Sequence, residues 1–291
     1  MSGPTLGILG GSGLYDLPDL KDVERIELST PFGEPSDAYV RGRLGETTLV
    51  FLPRHGVGHR LMPSEINNRA NIWGLKKLGV EQILSVSAVG SMKEEIHPGD
   101  VVIVDQLFDW TRQRVPTFFG DGIVAHVAFG DPICNRLGGL ITAAAKATQP
   151  EEGGAVHEGG TYICMEGPAF STRAESNIYR SWGVSVIGMT NLPEAKLARE
   201  AELCYATLAL ATDYDCWHDG HDDVSVASVL ETLRQNVQRA QAVIRGVAER
   251  LSTERPCACP NALQHAIMTS PDHIPAEARE RLALLVDRHL S

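Results

Sequence analysis

Residues that could bind an anion or move a proton follow several predicted strands of this 291-residue chain. Each group comes directly after a short apolar run, so its side chains should lie beyond the carboxyl end of a strand. In open α/β sheets, the loops beyond these ends form the ligand site. The groups are Gly10-Gly11-Ser12-Gly13, Arg54-His55, Ser87-Ala88 with Gly90-Ser91, Gly188-Met189-Thr190 and Thr212-Asp213-Tyr214-Asp215. The sequence therefore predicts one site assembled from several strand ends.

The first two groups have the chemistry of an anion site. A glycine-rich turn lets backbone N–H groups approach an anion, and Ser12 adds a hydroxyl donor. Arg54 carries a fork-shaped cation suited to phosphate, and His55 lies beside it. Two plainer interpretations stay open from the residues alone, a tight turn without a ligand and a surface salt bridge made by Arg54. The turn also lacks the glycine spacing of dinucleotide sites and the lysine of triphosphate loops.

The elements that would position these residues are those of an α/β sheet. Short apolar or β-branched runs alternate with longer helical patterns. Several runs are apolar throughout, as expected for strands covered on both faces. The predicted strands are Leu6 to Leu9, Thr48 to Leu52, Gln82 to Val86, Val101 to Val104, Thr161 to Met165, Val184 to Ile187 and Tyr205 to Ala211.

Capping signals and hydrophobic periodicity predict five helices. They are Ser64 to Leu78, Thr172 to Gly183 with a capping box at Thr172 and Glu175, Pro193 to Leu203, Val226 to Leu251, and Pro275 to Leu290. No internal repeat or convincing linker interrupts this pattern. We therefore expect a single domain over residues 1–291, with a helical tail from about residue 252.

Composition narrows the class of partner and the location. The net charge of −11 argues against a nucleic-acid partner, because such proteins favour a basic face. No apolar run approaches the roughly 18 to 20 residues that span a bilayer, and Met1 to Pro4 does not open a targeting segment. We expect a soluble, cytoplasmic protein that contacts neither nucleic acid nor membrane.

Two groups of residues have the side chains of metal ligands, but neither is sufficient to predict a metal site from the sequence. Cys257 and Cys259 are close enough to share a metal or form a small strained ring, but two ligands are too few. The other four cysteines stand singly in mostly apolar surroundings, which is typical of core residues. The second group is His218, Asp219, His221, Asp222 and Asp223, which a loop over the site explains equally well. The sequence therefore predicts no metal.

A series of motifs closely resembles the 5'-methylthioadenosine phosphorylases, in the trimeric branch of the purine nucleoside phosphorylases. The motifs are Gly10-Gly11-Ser12-Gly13, Pro53-Arg54-His55-Gly56, Asn71-Ile72-Trp73, Glu166-Gly167-Pro168-Ala169-Phe170-Ser171, Met189-Thr190 and Ala211-Thr212-Asp213-Tyr214-Asp215-Cys216-Trp217. The resemblance runs from Thr5 to about Leu251. It implies a three-layer αβα fold with a central mixed, twisted sheet, like that of the nucleoside phosphorylases.

The resemblance also assigns roles at both ends of a nucleoside. The residues that it implies for phosphate are Ser12, Arg54, His55, Ser87, Ala88 through its backbone N–H, and Thr190. Phe170 and Met189 would contact the sugar or base, although core packing explains both from the residues alone. Val226, Val229 and Leu230 match the positions around the methylthio group, and His126 matches one supplied by a neighbouring subunit.

The two aspartates are the most informative part of this implied site. Purine departure requires a proton at N7, which Asp213 could deliver as the catalytic acid. Asp215 would accept a hydrogen bond from the exocyclic amino group of adenine. Since a carboxylate cannot donate to a 6-oxo group, the pair favours 6-amino purines. From spacing alone, a solvated loop or helix caps would explain both carboxylates as well.

The resulting functional prediction is phosphorolysis of 5'-methylthioadenosine to adenine and 5-methylthio-α-D-ribose 1-phosphate, in methionine and purine salvage. Inorganic phosphate is the cosubstrate and no cofactor is expected. Two alternatives remain, a phosphorylase of 6-oxopurines such as methylthioinosine or inosine, and a nucleoside-binding protein without catalysis. The expected assembly is a homotrimer, or a hexamer of two trimers. The Cys-x-Cys segment resembles that of heat-loving archaeal relatives, in which it can form a disulfide, whereas a reducing cytoplasm favours free thiols.

Overall fold

The computed structural model describes residues 3–11, 13–151, 153–218 and 226–290, with the backbone alone for residues 226–235. Eleven strands occur in these ranges and form one sheet. They are β1 (Thr5–Gly10), β2 (Lys21–Ile26), β3 (Tyr39–Leu44), β4 (Thr47–Pro53), β5 (Gln82–Ser91), β6 (Val101–Ile103), β7 (Gln106–Trp110), β8 (Val156–Glu158), β9 (Thr161–Met165), β10 (Val186–Gly188) and β11 (Cys204–Asp213).

The sheet is mixed, as the family resemblance implies. Its order is β2-β3-β4-β1-β5-β10-β9-β7, and β11 pairs with β5 and continues to β6 and β8. β1 runs parallel to β4 and β5, and β11 runs parallel to β5, whereas β10 is antiparallel to β5. The predicted α/β class with a mixed sheet is thereby confirmed.

The long strand β5 has two successive neighbours on one edge. β1 pairs with it from Gln82 to Ser85, and β10 pairs with it at Gly90 and Ser91. β11 occupies the other edge along nearly its whole length. Between Ser85 and Gly90 the edge therefore opens where β1 ends and β10 begins, which is the type of place where open sheets bind ligands.

Six α-helices occur in the described ranges. They are α1 (Asn68–Lys77), α2 (Asn135–Ala147), α3 (Arg173–Ser181), α4 (Asn191–Glu200), α5 (Val226–Arg250) and α6 (Ala276–Val286). α2 packs against α5 and α1 packs against α4, and β11 contacts α2, α4 and α5. The tail belongs to the same hydrophobic core as the sheet, since Leu263, Leu282 and Val286 are buried within it. No helix in the described ranges combines the length and apolar character needed to cross a membrane.

The predicted N-terminal caps of two helices can be compared with the structure. The capping box at α3 is confirmed, because the Thr172 hydroxyl accepts from the Glu175 N–H and the Glu175 carboxylate accepts from the Thr172 N–H. The predicted cap at Ser64 is wrong, because Ser64 lies in a short 3-10 turn and the Asn67 side chain caps α1. The Asn67 amide oxygen, directly before the helix, accepts from the Ala70 N–H and fulfils the role expected of Ser64.

The sequence misses one helix and four strands, and the reasons are physical. α2 has glycine and alanine at many positions, which leaves few large residues to mark its period. β2 is almost wholly exposed and carries charged residues, because it forms an edge of the sheet with only β3 beside it. β3 and β7 mix polar with apolar residues because they are only partly buried, and β8 has only three residues, so none of the three forms a recognisable apolar run.

Candidate functional site

Ser87, Ala88 and Thr190 lie together at the opening between β1 and β10. The Ser87 Oγ is 3.1 Å from the Thr190 Oγ1, so the two hydroxyls form a pair. On the same strand, Val86 directs its carbonyl to this edge of β5, where it accepts from Arg54. Since alternate residues of a strand direct their backbone groups to the same edge, the Ala88 N–H also points into the opening. The structure thus brings three of the predicted phosphate residues together.

Tyr162, on β9, adds a third hydroxyl to the pair formed by Ser87 and Thr190, and sequence reasoning missed it. Its Oη is 3.1 Å from the Ser87 Oγ and accepts from the Thr190 N–H at 3.3 Å. Burial raises the pKa of Tyr162 to about 12, so the phenol stays protonated. A side chain at Gly188 would place its Cβ 2.0 Å from that oxygen, so only glycine admits the tyrosine. In the sequence, Tyr162 stands within a mostly apolar strand, and nothing in that run indicates that its hydroxyl meets Ser87 and Thr190.

Arg54 follows β4 and is only 2% exposed. Its guanidinium makes a two-point ion pair with the buried Glu194, with Nε–Oε1 at 2.6 Å and Nη2–Oε2 at 3.1 Å. The same group donates to the Leu9 and Val86 carbonyls and to the Ser85 hydroxyl. Burial alone would lower the pKa of Arg54, but the negative charge and hydrogen bonds of Glu194 raise it. The side chain therefore remains charged beneath the opening, and its direct contact with phosphate stays a prediction.

His55 is half-buried next to Arg54. Its Nδ1 is 2.9 Å from the Leu61 carbonyl, which can only accept, so Nδ1 carries the proton and Nε2 keeps its lone pair. The ring stacks on His59 with centroids 4.2 Å apart. Burial, and then the positive charge of Arg54, lower the pKa of His55 to about 4. At neutral pH this imidazole is uncharged.

Asp213 ends β11 and its carboxylate is held in place. The Thr212 hydroxyl donates to Oδ2 at 2.6 Å, and the Asp215 N–H donates to Oδ1 at 2.8 Å. Burial raises the pKa of Asp213, and these hydrogen bonds offset only part of the increase. A Cβ at Gly90, on the adjacent β5, would come within 2.9 Å of Asp213 Oδ1, so this glycine leaves room for the carboxylate.

Asp215 is 7% exposed and lies in a short 3-10 turn with a positive φ of 50°. Its Oδ2 has no hydrogen-bond partner among the described residues. Burial raises the pKa of Asp215 and the nearby charge of Asp213 adds to the increase, whereas the neighbouring Ser176 and Ser171 hydroxyls offset part of it. A buried carboxylate oxygen without a donor is costly, so this atom is placed to accept a hydrogen bond from a ligand.

The loops beside the aspartates are fastened by Arg114, which sequence reasoning also missed. Its side chain is 3% exposed and pairs with Glu166 at 2.9 Å. It also donates to the Met189 and Leu192 carbonyls, both at 2.6 Å. One buried cation therefore joins the segment before Phe170 to the segment that carries Met189 and Thr190.

The remaining predicted residues are divided between the site and its surroundings. Met189 packs over Gly167, where a side chain would come within 2.6 Å of its sulfur. Phe170 is 44% exposed, and His126 is exposed on a segment that pairs with the tail. Ser12 lies outside the described residues, as do four members of the second candidate metal group, Asp219, His221, Asp222 and Asp223. The side chains of Val226, Val229 and Leu230 also lie outside them, although their backbone begins α5.

Replacing Glu194 by glutamine should leave the buried Arg54 guanidinium without its counter-charge. We expect the free energy of unfolding to fall by about 3 kcal/mol, because a buried charge loses the carboxylate that compensates it. Urea unfolding of wild type and E194Q measures the change. The exposed Glu95 provides the control, and E95Q should stay within about 0.5 kcal/mol of wild type. Equal stability of the two variants would contradict the role assigned to this ion pair.

His55 should make the folded chain less stable as the pH falls from about 6.5 to 4. Its pKa is lowered to about 4 in the native state, so in this window the unfolded chain binds a proton that the native chain does not. Between pH 6.5 and 4.5 we expect wild type to lose about 2 kcal/mol more than H55N. Urea unfolding of both proteins across this range isolates the residue, because their other titrating groups are shared. Parallel curves would show that His55 titrates normally.

The model of the phosphorylase superfamily matches residues 5–249 of the chain. A Geobacter sulfurreducens protein named S-methyl-5'-thioadenosine phosphorylase is 59% identical, over 98% of this chain and 99% of its own length. The protein of the same name from Koribacter versatilis is 55% identical, over 98% of this chain and 96% of its own.

Solved structures agree with these relatives. A methylthioadenosine phosphorylase from an antarctic soil metagenomic library superposes with a TM-score of 0.93 at 48% identity, covering 98% of this chain and all of that one. The Schistosoma mansoni enzyme in complex with adenine gives 0.81 at 35% identity, covering 98% of both chains. The nucleoside phosphorylase fold and the resemblance indicated by the motifs are thus confirmed. On its fold, its site and these matches, the chain belongs to the phosphorylase superfamily.

Proposed function

We propose that this chain splits 5'-methylthioadenosine with inorganic phosphate, releasing adenine and 5-methylthio-α-D-ribose 1-phosphate. The observation that carries the proposal is the distance along β5 between a cluster of hydroxyls and two aspartates, the half-buried Asp213 and the buried Asp215. Ser87 lies at one point of this strand and Gly90, which contacts Asp213, lies three residues further on. Three residues of a strand span about 10 Å, which suits a nucleoside with phosphate beneath its ribose and its purine at the acidic end.

The phosphate end would combine neutral donors with one buried cation. The hydroxyls of Ser87 and Thr190 and the Ala88 N–H would bind the oxygens, with Ser12 as a further predicted donor. Arg54 would contribute positive charge below them, although Glu194 neutralises much of it. His55 presents an Nε2 lone pair at neutral pH, which can accept a hydrogen bond from the hydroxyl of hydrogen phosphate.

At the base end, Asp213 would protonate N7 as the glycosidic bond breaks. Its raised pKa favours the protonated form that a general acid needs. Asp215 would accept from the exocyclic amino group through its unpartnered Oδ2. As adenine departs, the ribosyl group gains oxocarbenium character, which phosphate stabilises before it captures C1'. Phosphate serves as cosubstrate, and this scheme uses no cofactor.

The 5' end and the assembly belong to the same proposal. Val226, Val229 and Leu230 would surround the methylthio group, Phe170 and Met189 would cover the sugar or base, and a neighbouring copy would supply His126. Exposed His126 supports this sharing, as does an exposed aromatic patch of Phe108, Trp110 and Trp182. We propose a homotrimer, with a hexamer of two trimers as the larger form, in the cytoplasm. Light scattering of the purified chain tests the assembly.

The substrate assignment is tested by measuring free base released from methylthioadenosine, methylthioinosine and adenosine, with and without phosphate. We expect phosphate-dependent adenine release from methylthioadenosine and slower cleavage of adenosine, whose 5'-hydroxyl should lose about 1 to 3 kcal/mol in an apolar pocket. Preference for methylthioinosine would indicate a 6-oxopurine phosphorylase. Release that needs only water would indicate a hydrolase, and binding without release would indicate a nucleoside-binding protein.

Replacing each aspartate by asparagine should change a different kinetic property. D213N removes the acid, so kcat for methylthioadenosine should fall about 10²- to 10⁴-fold. D215N gains an amide donor, so its kcat/KM should shift towards methylthioinosine relative to methylthioadenosine. Steady-state kinetics with both substrates separates these effects. Full turnover by D213N would remove the proposed acid from the scheme.

A further inference from the structure

Four cysteines from three separate parts of the chain meet in the core of the structure. Cys134 precedes α2, Cys204 begins β11, and Cys257 and Cys259 belong to the tail. Their four sulfur atoms all lie within 4.8 Å of one another. Three of the four residues are buried and Cys257 is half-buried. The chemistry proposed above uses none of them.

The distances suit a metal ion at the centre of the four sulfurs. Zinc binds thiolates at about 2.3 Å in tetrahedral geometry, which sets neighbouring sulfurs about 3.8 Å apart. The Cys204 and Cys257 sulfurs are 3.5 Å apart, and the longest separation needs to contract by only about 1 Å. The same pair is well beyond the roughly 2.05 Å of a sulfur–sulfur bond. The arrangement is that of four separate ligands around one point.

The surroundings also favour negatively charged sulfur. Cys134 occupies the N-cap position of α2, a helix of 13 residues, so its side chain lies at the positive end of the helix dipole. A thiolate is stabilised by that end, and zinc requires thiolates. Four protein ligands leave no open coordination position, which is the mark of a structural rather than a catalytic zinc site.

We propose that Cys134, Cys204, Cys257 and Cys259 form a structural Zn²⁺ site. The ion would fasten the start of the tail to the first residue of β11 and to the start of α2. Beyond Cys259, the tail pairs with the segment that carries His126, since the His126 N–H donates to Ala266 and the Met268 N–H donates to Val124, both at 2.8 Å. Zinc would therefore stabilise the tail against the segment that we expect to reach a neighbouring subunit. The proposal does not depend on the substrate assignment.

The metal content of the full-length protein, purified under reducing conditions, is the first test. Elemental analysis and native mass spectrometry should find one zinc per chain. After zinc is removed, Co²⁺ should restore binding with the thiolate charge-transfer and visible bands of a tetrahedral tetrathiolate site. Chelation should lower the melting temperature, and added Zn²⁺ should restore it.

Serine variants identify the ligands. C134S and C259S should bind zinc at least tenfold more weakly than wild type, whereas C164S should still bind one equivalent. Cys164 is the matched control because it is buried in the same chain but donates to the Leu192 carbonyl outside the cluster. If a ligand variant does not fold, the Co²⁺ spectrum of the wild-type chain still decides the matter.

Three results would overturn the proposal. The first is a reduced chain that takes up neither Zn²⁺ nor Co²⁺ and keeps four free thiols. The second is a disulfide among these residues in the chain isolated from the cell, detected by intact mass and non-reducing peptide mapping. The third is a bound metal other than zinc in the chain as isolated.

Discussion

The buried ion pair between Arg54 and Glu194 organises the centre of the molecule. Arg54 follows β4, yet its guanidinium also binds carbonyl groups of β1 and β5. Glu194, on α4, accepts from Tyr205 of β11 as well. Five elements are thus held together by charge and hydrogen bonds at the position where β5 changes neighbours. Because a charge at this depth is tolerated only with a partner, the pair fixes these strand ends in one arrangement.

From that arrangement the two ends of the site acquire opposite chemistry. On one side of β5, hydroxyl and backbone donors face the opening, with an uncharged His55 and a compensated Arg54 nearby. Three residues further along the strand, two aspartates are buried enough for their pKa values to rise. The first end favours an anion, and the second favours a purine that accepts a proton or donates a hydrogen bond. The distance between them is set by the rise of a single strand rather than by flexible loops.

The cysteine cluster shows the same dependence on the fold at a place remote from this chemistry. In the sequence, Cys134 and Cys204 stand singly in apolar surroundings, and Cys257 with Cys259 supplies too few ligands for a metal. The tail packs into the common core and brings the second pair to the first. Only the packing of the tail brings these four residues together as the proposed coordination site. The segment held in this way pairs with the one that carries His126.

Much of the fold and part of the site could be read from the sequence. Apolar runs identified β1, β4, β5, β9 and β11 because those strands are buried on both faces. The acidic end was indicated by the family resemblance of the segment from Ala211 to Trp217, since spacing alone left Asp213 and Asp215 open to a solvated loop or helix caps. The exposed edge strand β2 left no such trace.

The partners that make these residues work were decided by the tertiary structure. Glu194 is 140 positions from Arg54, and Tyr162 is 75 positions from Ser87. Arg114 joins two loops that lie 52 and 75 positions beyond it. Local sequence indicates which residues form strands and which chemistry stands at their ends, because hydrophobic periodicity and capping involve residues that are close along the chain. Which buried charge meets which, and how far apart the two ends of the site lie, follows only when the strands pair and exclude water.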